Sequence, residues 1–165
     1  MTLDYNGKVV IVTGAGGGLG RCHALEFARR GAKVVVNDLG GAVDGSGGSS
    51  EAADKVVEEI KSAGGEAMSN GSSVTDDAGV ANMVQQTMDA YGRIDVLVNN
   101  AGVLRDKSFA KMEIADFDFV VDVHLFGTMK PTKAVWPIMK EQGYGRIMVT
   151  SSSSGLYGNF GQSNY

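Results

Sequence analysis

The 165 residues predict an α/β fold, a doubly wound parallel sheet with helices on both faces. Two observations carry this. Short β-branched runs at Val9–Val12, Val34–Val36, Val96–Val98 and Ile147–Val149 are continuous rather than alternating, as strands covered on both faces require. Between them lie segments with apolar residues at helical spacing, and strand–helix alternation implies right-handed crossovers.

Each element follows in order. Residues 13–20, TGAGGGLG, leave the first strand and open a helix with Leu19, His23 and Phe27 on one stripe. Ala24 and Ala28 lie beside that stripe, and Gly31 closes the helix. A second helix from about Ser50 aligns Ala53, Val56, Val57 and Ile60 and stops at Gly64 and Gly65. Residues 66–70 form a strand on position alone, because they are weakly apolar. A third helix aligns Val80, Met83, Val84, Thr87, Met88 and Tyr91 and ends at Gly92. A long helix is expected from about Asp116 to Lys140, kinked near residue 128 because Pro131 clashes with the carbonyl of Gly127. Pro137 is expected to bend or shorten its last turns.

Composition bounds the function. Hydrophobic residues make up 43% and charged residues 21%, so a packed core is expected and disorder of the whole chain is not. The net charge of −4 argues against nucleic acid as a partner. No run approaches the ~18 apolar residues that cross a bilayer, so no membrane partner is expected. The 24 glycines cluster at 14–20 and 40–48 and mark particular turns. Cys22 reads as a small residue on a helix, and a single cysteine fits a reducing compartment. MTLDYNGK does not read as a secretory signal, which points to the cytoplasm.

Strand, glycine turn and helix start together give the glycines a physical role. Gly14 makes the tight turn, Gly18 lets a pyrophosphate approach the backbone, and Gly20 lets the helix pack on the strand. The phosphates then face free N–H groups at a helix N-terminus. Asp38 ends the second strand, where a carboxylate accepts from ribose hydroxyls. A 2′-phosphate there would meet a like charge, costing ~1 kcal/mol in water and ~4 at an intermediate dielectric. Residues 39–41 are Leu-Gly-Gly, with no Arg to receive it, so NAD is favoured over NADP.

TGAGGGLG, NNAG at 99–102 and a Ser–Tyr pair thirteen residues apart resemble the short-chain dehydrogenase/reductase family. NDLGG at 37–41, NNAGVLRDKSF at 99–109 and GRIMVTSSSSGLYGNFGQSNY at 145–165 resemble its hydroxyacyl-CoA dehydrogenase members. The resemblance implies a Rossmann-like sheet and hydride transfer between NAD and the 3-hydroxyl or 3-keto group of acyl-CoA esters. Steroids, other secondary alcohols or acyl-carrier-protein esters are alternative substrates, and a binding module without turnover is the alternative from another class.

It also implies roles. Tyr165 becomes the general acid–base and Ser152 hydrogen-bonds the reacting oxygen. Gly14, Gly16, Gly17, Gly18, Leu19 and Gly20 bind cofactor with Asp38, Ser73, Val74, Asn100, Ala101 and Gly102. No metal is implied. His124 stands where the family carries a catalytic Asn, and either supports proton transfer or is a buried structural side chain. Ser73 stands where the family has an Asp near adenine. The family's catalytic Lys lies four residues beyond the tyrosine. Residues 1–165 are therefore expected to be the N-terminal portion of one dinucleotide-binding domain, lacking the last strands and inactive alone. A homo-oligomer is expected of the complete enzyme, and a peroxisomal matrix is the alternative location.

Overall fold

The computed structural model describes residues 3–47 and 50–165. Five strands form one sheet, β1 (Val9–Thr13), β2 (Lys33–Asn37), β3 (Glu66–Asn70), β4 (Val96–Asn99) and β5 (Arg146–Val149). Their order is β3-β2-β1-β4-β5, and every pairing is parallel. All four apolar runs are strands, and residues 66–70 are the edge strand that position alone indicated.

The helices are α1 (Gly18–Arg29), α2 (Glu51–Ser62), α3 (Asp77–Tyr91), α4 (Ile114–Val121), α5 (Gly127–Glu141) and α6 (Ser153–Tyr157). On one face α1 and α2 cover Val10, Val12, Val34 and Val36; on the other α3 and α5 cover Ile11, Val35 and Leu97. Each of these strand residues is wholly buried, worth about 1.5–3 kcal/mol apiece. Asp76 caps α3 by accepting from the Gly79 N–H at 2.7 Å, and Gly92 ends it at φ 70°.

Two expectations need correction. The buried side of α1 is Gly20, Ala24 and Ala28, whereas Leu19 is 67% exposed and Cys22 faces solvent. Small residues win because the helix lies close on the strands, and Leu19 is free to face the site instead. The long helix is not kinked by its proline alone. A wide turn at Asp122–Phe126 separates α4 from α5, with the Gly127 N–H reaching back five residues to the Asp122 carbonyl. Gly127 is buried against Val74, where a Cβ would sit 2.7 Å from Val74 Cγ2. The helix then runs through Pro131 and Pro137 to Glu141, without being cut short. No helix among the described residues is long and apolar enough to cross a membrane.

Strand order reverses between β1 and β4, so β1 runs on to β2 on one side while β4 follows on the other. The crevice beyond the carboxyl ends of the strands at such a switch point is where α/β sheets take ligands.

Candidate active site: two clefts sharing one wall

Thr13, at the end of β1, ties that crevice together. Its buried hydroxyl donates to the Val98 carbonyl at 3.3 Å and accepts from the Asn100 and Ala101 N–H groups at 3.0 and 3.1 Å. The Asn100 amide nitrogen donates to the Thr13 and Gly14 carbonyls, each at 3.0 Å. The turn after β4 is thus stitched to the turn after β1. The sequence reading placed Asn100 and Ala101 at the site but missed Thr13, whose only signal was a hydroxyl ending an otherwise apolar run.

The first cleft, about 430 Å³, is lined by Gly14, Gly17, Gly18, Asp38, Ser73 and Val74, with Asn100, Ala101 and Gly102 as its far wall. Its glycines differ in function. A Cβ on Gly20 would lie 2.0 Å from the Gly14 carbonyl oxygen, so Gly20 serves helix–strand packing and does not line the cleft. Gly14 and Gly18 adopt φ 61° and 50°, which favour glycine. Gly17 has nothing within 4 Å of a built Cβ, so its backbone is open to an approaching group. Gly16 lies behind the cleft, its N–H donating to Asp38 Oδ2 at 2.7 Å.

The Asp38 carboxylate also accepts from the Gly40 N–H at 2.7 Å through Oδ1. Two backbone donors fix the group, and each oxygen retains a further lone pair for a ribose hydroxyl. Beneath it lies a second set of charges that residues 39–41 did not reveal. Arg21 and Lys55 line a hollow with Gly16 and Gly40, but each is paired: Arg21 with Glu59 at 2.6 Å and Lys55 with Glu51 at 2.7 Å. Ser73 turns its hydroxyl to Thr75, 2.9 Å away. Val74 is part of the floor, largely buried, with its Cγ2 against Gly127. Asn37, Ser72, Val103, Phe119 and Val123 also line it and were not foreseen, because only the fold brings them to this crevice.

The second cleft, about 420 Å³, contains Leu19, Asn99, Asn100, Ala101, Gly102, His124, Ser151, Ser152 and Tyr165. Ser152 caps the start of α6, its Oγ accepting from the Ser154 N–H at 3.2 Å, which leaves the hydroxyl hydrogen available to a guest. The Tyr165 ring packs edge-on to His124, centroids 4.9 Å apart at 71°. His124 stands on the wide turn before α5, a break that recurs at functional sites. Its Nε2 lies 2.8 Å from the Val103 carbonyl oxygen and 3.1 Å from the Val103 N–H nitrogen. One nitrogen serves one of these at a time, so the protonated nitrogen donates to the carbonyl and the bare nitrogen accepts from the amide. Gly102 makes room for this ring, since a Cβ there would lie 2.6 Å from His124 Cε1. Asn99 donates to Thr132 Oγ1 at 3.0 Å, while its Oδ1 is buried without a hydrogen-bond partner among the described residues.

A glycine turn at a switch point, a carboxylate fixed by two backbone donors and a Ser–Tyr pair across one shared wall are features of a dinucleotide-dependent dehydrogenase fold. The chain belongs to the short chain dehydrogenase family, whose profile matches residues 8–165. It is 59% identical over 165 residues to peroxisomal multifunctional enzyme A of Dictyostelium discoideum, covering 100% of this chain and 37% of that protein. Full-length peroxisomal multifunctional enzyme type 2 of Drosophila melanogaster is similar in structure, with a TM-score of 0.78 and 48% identity over 99% of this chain and 26% of that one. A 7α-hydroxysteroid dehydrogenase solved with NADH and 7-oxo glycochenodeoxycholic acid superposes with a TM-score of 0.89 at 32% identity, covering 98% of this chain and 60% of that one. The chain therefore spans about a third of the curated relative it matches.

Proposed function

We propose that residues 1–165 are the N-terminal portion of an NAD-dependent dehydrogenase domain that interconverts the 3-hydroxyl and 3-keto groups of acyl-CoA esters. The observation that carries this is the shared wall, Asn100–Gly102, between the Asp38 cleft and the Ser152–Tyr165 cleft. The acyl-CoA choice rests on NDLGG, NNAGVLRDKSF and the 145–165 segment, whose resemblance is to hydroxyacyl-CoA dehydrogenases. The peroxisomal relative favours a peroxisomal matrix over the cytoplasm, and the complete enzyme is expected to be a homo-oligomer.

In this reading Gly14, Gly17 and Gly18 present backbone to the pyrophosphate, and Asp38 accepts from the adenosine ribose. Ser73 and Val74 flank the adenine, and Asn100, Ala101 and Gly102 border the nicotinamide ribose. NAD, when bound, supplies the hydride acceptor. Tyr165 takes the proton of the 3-hydroxyl as the carbonyl forms, or returns it in reduction. Ser152 donates a hydrogen bond to the same oxygen as charge develops there. His124 holds the ring of Tyr165 by its edge contact, and its own ring is anchored on the Val103 backbone through Nε2. Arg21 and Lys55 do not favour NADP, because Glu59 and Glu51 already neutralise them.

The test is a pair of titrations and one variant. NAD should bind about tenfold more tightly than NADP, the factor expected for one close like-charge contact at Asp38. In the longer dehydrogenase domain, Tyr165→Phe should lower 3-hydroxyacyl-CoA oxidation by at least about 100-fold with NAD affinity kept. Tighter NADP binding would overturn the cofactor assignment, and retained turnover would remove Tyr165 from the chemistry.

A further inference from the structure

The loop after β2 closes on itself and forms one bank of the Asp38 cleft. Ala42 N–H donates to the Ser46 carbonyl at 2.8 Å, Gly45 N–H to the Ala42 carbonyl at 2.8 Å, and Ser46 N–H to Asp44 Oδ1 at 2.9 Å. Gly41, Ala42, Val43 and Gly45 line the cleft. Gly45 rests on Phe119, where a Cβ would meet the ring carbon Cε1 at 2.5 Å.

The outer side of this loop is held by one segment, residues 104–105. Leu104 N–H donates to the Val43 carbonyl at 2.9 Å, and Arg105 Nε donates to the Asp44 carbonyl. Arg105 is fixed in turn by Asp116, whose Oδ1 lies 3.0 Å from Nη1, and its guanidinium lies 5.1 Å from the Phe119 ring centre. Lys107 holds the other Asp116 oxygen at 2.9 Å.

The same segment holds the other cleft. The Arg105 carbonyl accepts from Asn164 Nδ2 at 3.0 Å, and Asn164 is 6% exposed and adjoins Tyr165 in the chain. Lys107 N–H donates to the Gly161 carbonyl at 2.9 Å, and Gln162 Nε2 to Asp106 Oδ2 at 2.9 Å. Tyr165 N–H closes the turn on the Gln162 carbonyl at 3.1 Å. Val43 and Tyr165 line different clefts, yet only Leu104, Arg105 and Asn164 stand between them along this path.

Resting on the dinucleotide reading above, we propose that Arg105 is a positioning residue that couples filling of the adenosine cleft to the placement of Tyr165. A ligand against Val43 and Gly45 restricts the loop, and the restricted loop holds Leu104 and the Arg105 side chain. The Arg105 carbonyl then has one direction in which to receive Asn164. A contact network that loses freedom at one end loses it at the other, and the coupling is reciprocal.

ADP tests this, because it fills the adenosine and phosphate positions and carries no group that reaches Tyr165. Amide hydrogen exchange is followed with and without ADP at Leu104, Lys107 and Tyr165, with Val10–Val12 as the measure of intact fold. In the longer dehydrogenase domain with this sequence unaltered, ADP should slow exchange at all three by about fivefold or more, the lower end of ordinary coupling. Arg105→Ala should still bind ADP, keep slow exchange in β1, and lose the ADP-dependent slowing at Tyr165. Asn164→Ala cuts the far link only, so ADP should still slow Leu104 and no longer slow Tyr165. A merely structural part for these residues would loosen Tyr165 equally with and without ADP. If ADP binds and Tyr165 does not respond, or if either variant retains the response, the coupling is refuted. If ADP does not bind at all, the dinucleotide reading falls as well, and that outcome is distinct.

Discussion

The two clefts share a wall and differ in almost everything else. The Asp38 side grows out of β1, whose five residues are all buried, and out of glycines held against backbone. The Ser152 side grows out of β5, the edge strand opposite β3, where Met148 is 43% exposed and Val149 58%. The Asp38 side is thus set by interior packing, which changes steeply with any added atom. The Ser152–Tyr165 side is set by hydrogen bonds between irregular segments, chiefly 103–107 with 161–165.

The sharpest way to break this comparison is the same substitution on each side. Gly20→Ala puts a methyl 2.0 Å from the Gly14 carbonyl, which cannot move without disturbing Asn100 and its bonds to Thr13 and Gly14. The expected loss is about 3 kcal/mol or more, with NAD binding abolished. Gly155→Ala meets nothing within 4 Å and should change stability by no more than about 0.5 kcal/mol. Chemical denaturation of both variants decides. Equal losses would mean that the second side is packed as tightly as the first.

A smaller effect, with a pH signature, comes from the far end of the same buried strands. Asp95 is wholly buried; its oxygens accept from Arg93 at 2.7 and 2.8 Å, from the Val9 N–H at 2.9 Å and from Lys8 at 3.3 Å. Burial pushes its carboxyl upward, but the hydrogen bonds from Arg93, Val9 and Lys8 outweigh burial and hold it below the usual carboxylate value. A depressed folded value means the unfolded chain binds the proton more readily. Its contribution is therefore complete above the ordinary carboxylate range and is lost as pH falls through the folded value. Asp95→Asn should cost about 2 kcal/mol at neutral pH and flatten the acid limb of the stability curve. An unchanged acid limb would show that Asp95 does not clamp β1 to β4.

How much of this was legible in the sequence follows the same division. The buried side was readable because continuous β-branched runs and a helix with Ala53, Val56, Val57 and Ile60 on one face have no other stable arrangement. Asp38 and the glycine turn followed from their position at a strand end. Edge strand β3, EAMSN, carried little apolar signal and was placed by its neighbours. Leu19 was misread because a helical stripe counts large side chains, whereas close packing on the sheet selected Gly20, Ala24 and Ala28. The wide turn at 122–126 was invisible, since Pro131 signalled a bend but not that the extra residue would be taken up ahead of Gly127. Least legible of all were Thr13 and the 103–107 segment. Their roles depend on partners tens of residues away, and no periodicity or local motif encodes such a contact.

The smallest predicted effect is the most diagnostic of the contrast. Valine and threonine have nearly the same shape, so Val→Thr adds a hydroxyl without opening a cavity. In β4, Val98 is 0% exposed and lies in the apolar cluster on one sheet face, so Val98→Thr buries a polar group at a cost of about 1–3 kcal/mol. In β5, Val149 pairs with Asn99 on one side only and is 58% exposed, so the new hydroxyl at Val149→Thr stays hydrated. Its cost should fall within about 0.5 kcal/mol. A large loss at Val149 would mean that another surface covers β5 in solution. The Ser152–Tyr165 side would then be completed from outside these residues, not by the 161–165 turn alone.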